Sequence, residues 1–270
     1  MSQSHPLWTI DPDDPRAPPR EIWARMSSEE RARVVAELPS EFPVNEARPP
    51  EGDRHIDAWT GARQTLRRWF RNRGTRIYVG GNLPVYYPGE TMFSPDVVAV
   101  LDVEPRPRES WIVSNEGDRG LDLALEVVVS GNRRKDVRDN PVRYARLGIR
   151  EYFVFDATRG TLLGFRLLGG RDAYERLLAQ AGDFRSEVLD LDLSLERGRL
   201  RFSFAGAVVP EMEELVGKLE AFVDDAHARQ RQLEAALEEE QRLRQEEQRK
   251  REEAEAEVAA LRREIERLKR

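Results

Sequence analysis

The chain has 270 residues, 35% of them charged, a net charge of −6 and no cysteine, and its mean hydropathy is −0.67. That length supports one sizeable core with an appendage, while the missing cysteine excludes disulfide and thiolate chemistry. The acidic balance argues against general nucleic-acid affinity but leaves room for a local basic groove. No apolar run approaches a membrane span. The opening MSQSHPLWTIDPDDPRAPPR lacks the basic-then-apolar pattern of a signal peptide, so a cytoplasmic protein is expected.

Residues 1–20 are rich in proline and aspartate and are expected to be poorly ordered. Ser27, followed by Glu29 and Glu30 and then ARVVAEL, predicts a short serine-capped helix. Residues 42–50 are proline-bounded and extended, and Glu46 lies among them. Over residues 56–73, Ala62, Leu66, Trp69 and Phe70 recur at helical spacing and predict an amphipathic helix. Arg63, Arg67, Arg68, Arg71 and Arg73 occupy much of its remaining surface, which reads either as a solvated face or as a phosphate-contact surface. Gly74 predicts a left-handed cap at its end.

Residues 76–79 and 83–87, separated by Gly80-Gly81-Asn82, read as a hairpin. Residues 92–101 form a strand bearing Asp96, and 105–120 a polar loop with a short strand at 111–113. Residues 121–129 are almost continuously apolar, as in a central strand buried on both faces, and Glu126 lies inside that run. Asp139-Asn140-Pro141 sets a helix start, with a cap followed by proline at the first helical position, and the helix runs to Leu147 and stops at Gly148. Residues 151–156 are the next strand, so strand, helix and strand predict a parallel, right-handed unit. Further strands over 161–168, 188–195 and 200–204 complete a mixed sheet with packed helices, an α/β or α+β core.

From Glu211 the composition turns to Glu, Arg, Gln and Ala. Val216, Leu219, Val223, Ala226, Leu233, Leu237, Ala254, Val258, Leu261, Ile265 and Leu268 fall on one unbroken heptad register, which predicts a coiled coil. Gln230, Glu240, Arg244, Glu247 and Arg251 occupy the same seam in the middle and predict a weaker midsection. The alternative is a single solvated helix.

Two acids stand in apolar strands. Asp96, after Pro95, reads as a turn residue or a site residue; Glu126 as solvent-facing, arginine-paired or functional. A buried carboxylate is costly unless something pairs with it. Two on neighbouring strands, followed by a basic segment, suit a divalent cation and a phosphate.

The order and spacing of Pro95-Asp96, Leu125-Glu126-Val127 with Ser130 after it, Tyr144-Ala145-Arg146-Leu147-Gly148 and Glu151-Tyr152-Phe153 resemble the Uma-two family of restriction endonucleases in the PD-(D/E)xK nuclease superfamily, over roughly residues 40–205. The resemblance implies a restriction-endonuclease-like mixed β-sheet core flanked by helices over residues 41–208. An N-terminal extension with a short helix (1–40) and a C-terminal coiled coil (211–270) would flank it. It implies hydrolysis of DNA phosphodiester bonds with magnesium or manganese, held by Asp96, Glu126 and the carbonyl of Val127. The superfamily's usual lysine position is Val128 here, and the position four residues before Tyr144, where the family often carries a lysine, is Asn140. The nearest lysine, Lys135, is therefore assigned as the third catalytic member. His55 matches a histidine often seen in the family and is read as a cap or surface residue.

Arg67 and Arg71, with Arg133 and Arg134 from the basic segment that also holds Arg138, Arg143, Arg146 and Arg150, would line a phosphate-binding cleft. Glu46 is a further carboxylate of unfixed position. Two functions remain: a metal-dependent DNA endonuclease, assembled with itself or a partner through the coiled coil, and a weak or inactive nuclease-fold module that binds nucleic acid or a partner. Asn140 favours the second and the paired acids the first. A hydrolase of another chemistry is disfavoured, since His55 and His227 lie in no triad motif.

Overall fold

The computed structural model describes residues 6–41, 52–129, 133–169 and 171–268. Glu46 and Ser130, both weighed above, lie outside the described residues. Residues 6–20, expected to be poorly ordered, belong to the fold. Trp8, Ile10 and the buried Ala17 pack with Met26, Val34, Leu38, Tyr86 and Ile112, and the backbone bridges Arg16 to Thr91 and Ala17 to Pro88. A few apolar anchors outweigh the polar composition around them. Two short helices follow, α1 (Arg20–Arg25) and α2 (Ser28–Glu37). Ser27 accepts from the Glu30 amide and Glu30 from the Ser27 amide, a reciprocal cap.

Helix α3 (Asp53–Arg73) buries Ala62, Thr65, Leu66 and Phe70 and ends at Gly74, where φ is +65°. Strand β1 (Ile77–Gly80) follows, but the expected hairpin does not form. β1 pairs antiparallel with β3 (Val97–Leu101), while β2 (Val85–Tyr86) pairs in parallel with β4 (Trp111–Ile112). The Gly80-Gly81-Asn82 stretch does not reverse the chain, because the Asn82 amide donates to the carbonyls of Pro95 and Asp96, each at 3.2 Å. Pro84 then lacks the amide a ladder would need.

The main sheet has six strands in the order β1-β3-β5-β6-β7-β8, with β5 (Leu123–Val128), β6 (Glu151–Asp156), β7 (Thr161–Leu167) and β8 (Tyr174–Arg176). β5 and β6 are parallel and lie at its centre; every residue of both is buried, as the apolar run at 121–129 predicts. On one face Leu123, Leu125, Val127, Phe153 and Phe155 pack against Leu66 and Phe70 of α3 and against Leu191, Leu193 and Phe202. These last belong to a four-stranded antiparallel sheet of β9 (Phe184–Ser186), β10 (Leu191–Glu196), β11 (Arg199–Phe204) and β12 (Ala207–Val208). On the other face Ala124, Val128, Tyr152 and Val154 pack with Val85, Trp111 and Tyr144. A fully buried side chain such as Phe153 contributes about 1.5–3 kcal/mol of hydrophobic stabilisation.

Glu151, at the head of β6, is 1% exposed. It accepts from Arg166 Nε of β7 at 3.0 Å, from the Ser186 hydroxyl, and from the amides of Glu187 and Val188. One buried carboxylate thus ties the two sheets together.

Between β5 and β6 the expected capped start does not form: the Asn140 side chain, just ahead of Pro141, bonds to Glu126 and Asp136 instead. Lys135–Asp139 is a π-helical turn that runs directly into α4 (Asn140–Arg146), with no side-chain cap at Asp139. Pro141 has no amide to give, and the Asn140 amide bonds back to the Lys135 carbonyl.

The chain divides into two compact units, Met1–Met212 and Glu213–Arg270. The second is built from α5 (Met212–Leu268), one helix of 57 residues. Its seam residues Val216, Leu219, Val223, Leu233, Leu237, Val258, Leu261 and Ile265 are all exposed. Ion pairs four residues apart, including Asp225–Arg229, Glu240–Arg244 and Glu247–Arg251, support the helix itself. Among the described residues no helix is long and apolar enough to cross a membrane.

Candidate active site

β3 and β5 pair antiparallel with Val97 opposite Leu125. Carried one residue further, that register sets Asp96 across from Glu126, with both side chains on the face of Val98 and Ala124, where Tyr144 of α4 packs. Both carboxylates are buried, at 7% and 6% exposure. Asp96 Oδ2 accepts from the Val127 amide at 2.6 Å and lies 3.2 Å from His55 Nε2, in the first turn of α3. Glu126 Oε1 accepts from the Tyr144 hydroxyl at 2.9 Å and from Asn140 Nδ2 at 3.3 Å. That same amide nitrogen donates to Asp136 Oδ1 at 3.1 Å. Asp136 is in turn fixed through its own carbonyl, which accepts from the Tyr152 hydroxyl at 2.8 Å.

Burial, and then the charge of Asp96, push the Glu126 carboxyl well above the ordinary carboxylate range; Lys135 opposes them, Asp136 adds to them, and the Tyr144 hydrogen bond offsets a little. Burial likewise raises Asp136, against the pull of Lys135, with Asp96 raising and His55 lowering it. Tyr144 and Tyr152 are held in their neutral, donating forms by burial and by the nearby Glu126. Lys135 is exposed, yet both Glu126 and Asp136 feel its charge. The site therefore brings together Asp96, Glu126 and the Val127 main chain, while Lys135 forms no hydrogen bond or ion pair with either acid among the described residues. The site adds His55, Asp136, Asn140 and Tyr144.

These additions left faint traces in the sequence. Asp136 sits among arginines and reads as an ordinary ion-pairing residue, and nothing local joins His55 to Asp96 across 41 positions. Asn140 occupies the very position where the resemblance expects a lysine, and its amide bridges two carboxylates as an ammonium would, without the charge.

Among the described residues, no group of three or more His, Asp and Glu side chains is placed to hold a metal ion. Two buried carboxylates and a main-chain oxygen are the donors left, and they fit a hard cation that keeps several waters. The Val127 amide faces Asp96, and in an extended strand the carbonyl of the same residue projects to the same edge.

The arginines divide. Arg133 Nε lies 3.1 Å from Asp156 Oδ2, within ion-pair distance but misaligned for a hydrogen bond. Arg146 pairs with Glu90 and Arg150 with Asp122, while Arg143 donates to the Thr91 carbonyl. Much of the basic segment thus serves the fold. Arg67, Arg71 and Arg134 are exposed and have no ion-pair partner among the described residues.

A family model described as "Putative restriction endonuclease", Uma2, matches residues 40–200, more than half of the chain. Among solved structures, the chain is similar to "a putative nuclease belonging to DUF820" from Anabaena variabilis ATCC 29413. That match has 14% identity and a TM-score of 0.44, and covers 60% of this chain and 93% of the other. No curated protein matches. The residues that build the carboxylate site, Asp96 to Tyr144, fall inside the matched span, and the chain belongs to the Uma2 family.

Proposed function

We propose that the chain is a magnesium- or manganese-dependent endonuclease that hydrolyses DNA phosphodiester bonds. The observation that carries this reading is the pair of buried, facing carboxylates. No arginine or lysine forms an ion pair with either among the described residues, and the charge of one raises the pKa of the other. Like charges placed so close destabilise a fold unless a cation joins them. Asp96, Glu126 and the Val127 carbonyl would hold it. Such an ion, when bound, neutralises phosphate charge and lowers the pKa of water. His55 orients Asp96, while Tyr144 and Asn140 fix one oxygen of Glu126. Lys135 adds positive charge near the two acids, which suits the phosphate charge that grows during attack. Arg67, Arg71 and Arg134 suit backbone phosphates, whereas Arg133 is engaged by Asp156. The exposed apolar seam of α5 suits a second copy or a helical partner.

The test is cleavage of plasmid and single-stranded DNA by the full chain with magnesium or manganese, beside Asp96→Ala, Glu126→Ala and Lys135→Ala. Metal-dependent cleavage that falls at least ~100-fold in both acid variants supports the reading. Cleavage retained in both refutes the site, and loss confined to the acids removes Lys135 from it.

A second reading, a nuclease-fold module that binds nucleic acid or a partner without cutting, is favoured by Asn140, whose neutral amide sits between Glu126 and Asp136. No cleavage by the wild type with either metal would select it.

A further inference from the structure

Arg63 differs from Arg68, Arg73 and Arg108 nearby. Arg68 donates to the Pro210 carbonyl, Arg73 lies 3.2 Å over the Trp69 ring, and Arg108 pairs with Glu116 while covering Tyr78 and Trp111. Arg63 is half-buried, and its Nε is buried without a hydrogen-bond partner. No carboxylate pairs with it among the described residues. Burial and the charge of Arg67, one turn on, both press its pKa down. A cation kept in that state costs stability.

Two glycines shape its surroundings. A Cβ at Gly81 would lie 3.1 Å from Arg63 Cδ and 2.5 Å from the Asp96 carbonyl oxygen. One bare residue thus separates the Arg63 stem from the main chain of Asp96. A Cβ at Gly80 would lie 2.7 Å from Tyr78 Oη, so glycine lets that phenol lie along β1, the edge strand of the sheet. The Tyr78 hydroxyl bonds to nothing among the described residues; burial raises its pKa, the charges of Arg108, Arg63 and Arg67 oppose that rise, and Glu116 adds to it. Helical side chains lean toward their N-terminus, which here is the end where His55 meets Asp96.

We propose that Arg63, Arg67 and the Tyr78 hydroxyl form a binding site for a backbone phosphate of nucleic acid, adjacent to the phosphate acted on at Asp96 and Glu126. Three groups offer hydrogen-bond donors, and the carboxylate that acts on Tyr78, Glu116, is already paired with Arg106 and Arg108, which suits an anion. A phosphodiester has two open oxygens and one charge to present to them. Adjacency to the reacting phosphate rests on the nuclease reading; the phosphate site itself does not.

The test uses the full chain in metal-free buffer and a short labelled DNA duplex, with fluorescence anisotropy read across a salt series. Wild type is compared with Arg63→Met, Arg63→Lys and Tyr78→Phe, and thermal midpoints are taken in parallel. Arg63→Met should weaken binding about tenfold and lower the slope of log K against log salt by about one, with a midpoint equal to or above wild type. Arg63→Lys should keep the slope while losing part of the affinity, and Tyr78→Phe should weaken binding without changing the slope. Unchanged affinity and slope in Arg63→Met overturns the proposal, as does an unbound wild type at low salt. A midpoint several degrees lower with binding retained makes Arg63 a packing residue and overturns it too. If metal-dependent cleavage persists while Arg63→Met binds normally, only this proposal fails. If cleavage is absent while Arg63→Met weakens binding, the phosphate site stands without the nuclease.

Discussion

Replacing Glu126 with glutamine should stabilise the metal-free protein. A glutamine has the same shape, and its Oε1 can still accept from Tyr144 and Asn140, as Glu126 Oε1 does. What it removes is one of two facing negative charges. The size of the effect has a ceiling. At pH 7 a buried acid never costs more than its own protonation, and from the ordinary value of 4.5 to pH 7, at about 1.4 kcal/mol per pH unit, that is about 3 kcal/mol. For a domain of this size that is up to about 10 °C in melting temperature. The sign with pH follows from the raised folded-state pKa. Folding takes up a proton at Glu126, so the wild type keeps its full stability below pH 4.5 and loses it as pH rises toward the folded value. The advantage of Glu126→Gln should therefore open between pH 4.5 and 7 and close on acidification. Melting of the tertiary fold, followed by tryptophan fluorescence in EDTA across that range, reads it directly. Magnesium should then raise the wild type and leave the variant where it was. A variant that melts below wild type at pH 7 without metal, or a gap indifferent to pH, would refute the electrostatic argument.

Asn140→Lys places an ammonium between Glu126 and Asp136, and nicking of supercoiled plasmid with manganese should rise at least about tenfold; an unchanged rate would show that Asn140 is not what limits the site. Ending the chain at Met212 should abolish self-association in sedimentation while leaving the magnesium-dependent melting shift intact. A truncated chain that still associates would place the contact outside α5.

Legibility in the sequence followed the physics of each element. β5 and the strand–helix–strand unit were readable because their apolar residues are contiguous and their partners close. Glu126 was conspicuous as an acid inside that run. The serine cap at Ser27 and the left-handed Gly74 are local, and both are found. What failed was non-local. Whether Gly80-Gly81-Asn82 reverses the chain depends on the carbonyls of Pro95 and Asp96, more than ten residues away. The order of residues 6–20 depends on a cluster completed by Tyr86 and Ile112. Arg133 resembled its exposed neighbour Arg134 until β6 supplied Asp156. The π-helical turn that brings Asp136 beside Asn140 leaves no periodic signature in five residues.

Glu151 carries a caution for assigning sites in proteins of this kind. In the sequence it looks much like Glu126, an acid at an apolar strand, and it belongs to the same set of recurring pieces. Yet its acceptor capacity is filled by Arg166, Ser186 and two amides, with nothing left for a ligand. Aspartate would be too short to span those donors, and glutamine would turn an amide hydrogen against one of them. Such a position constrains its residue for reasons of architecture alone. A mutational scan scored only by lost activity would rank it beside Asp96, and only a simultaneous reading of folded fraction would tell the rivet from the reactive centre.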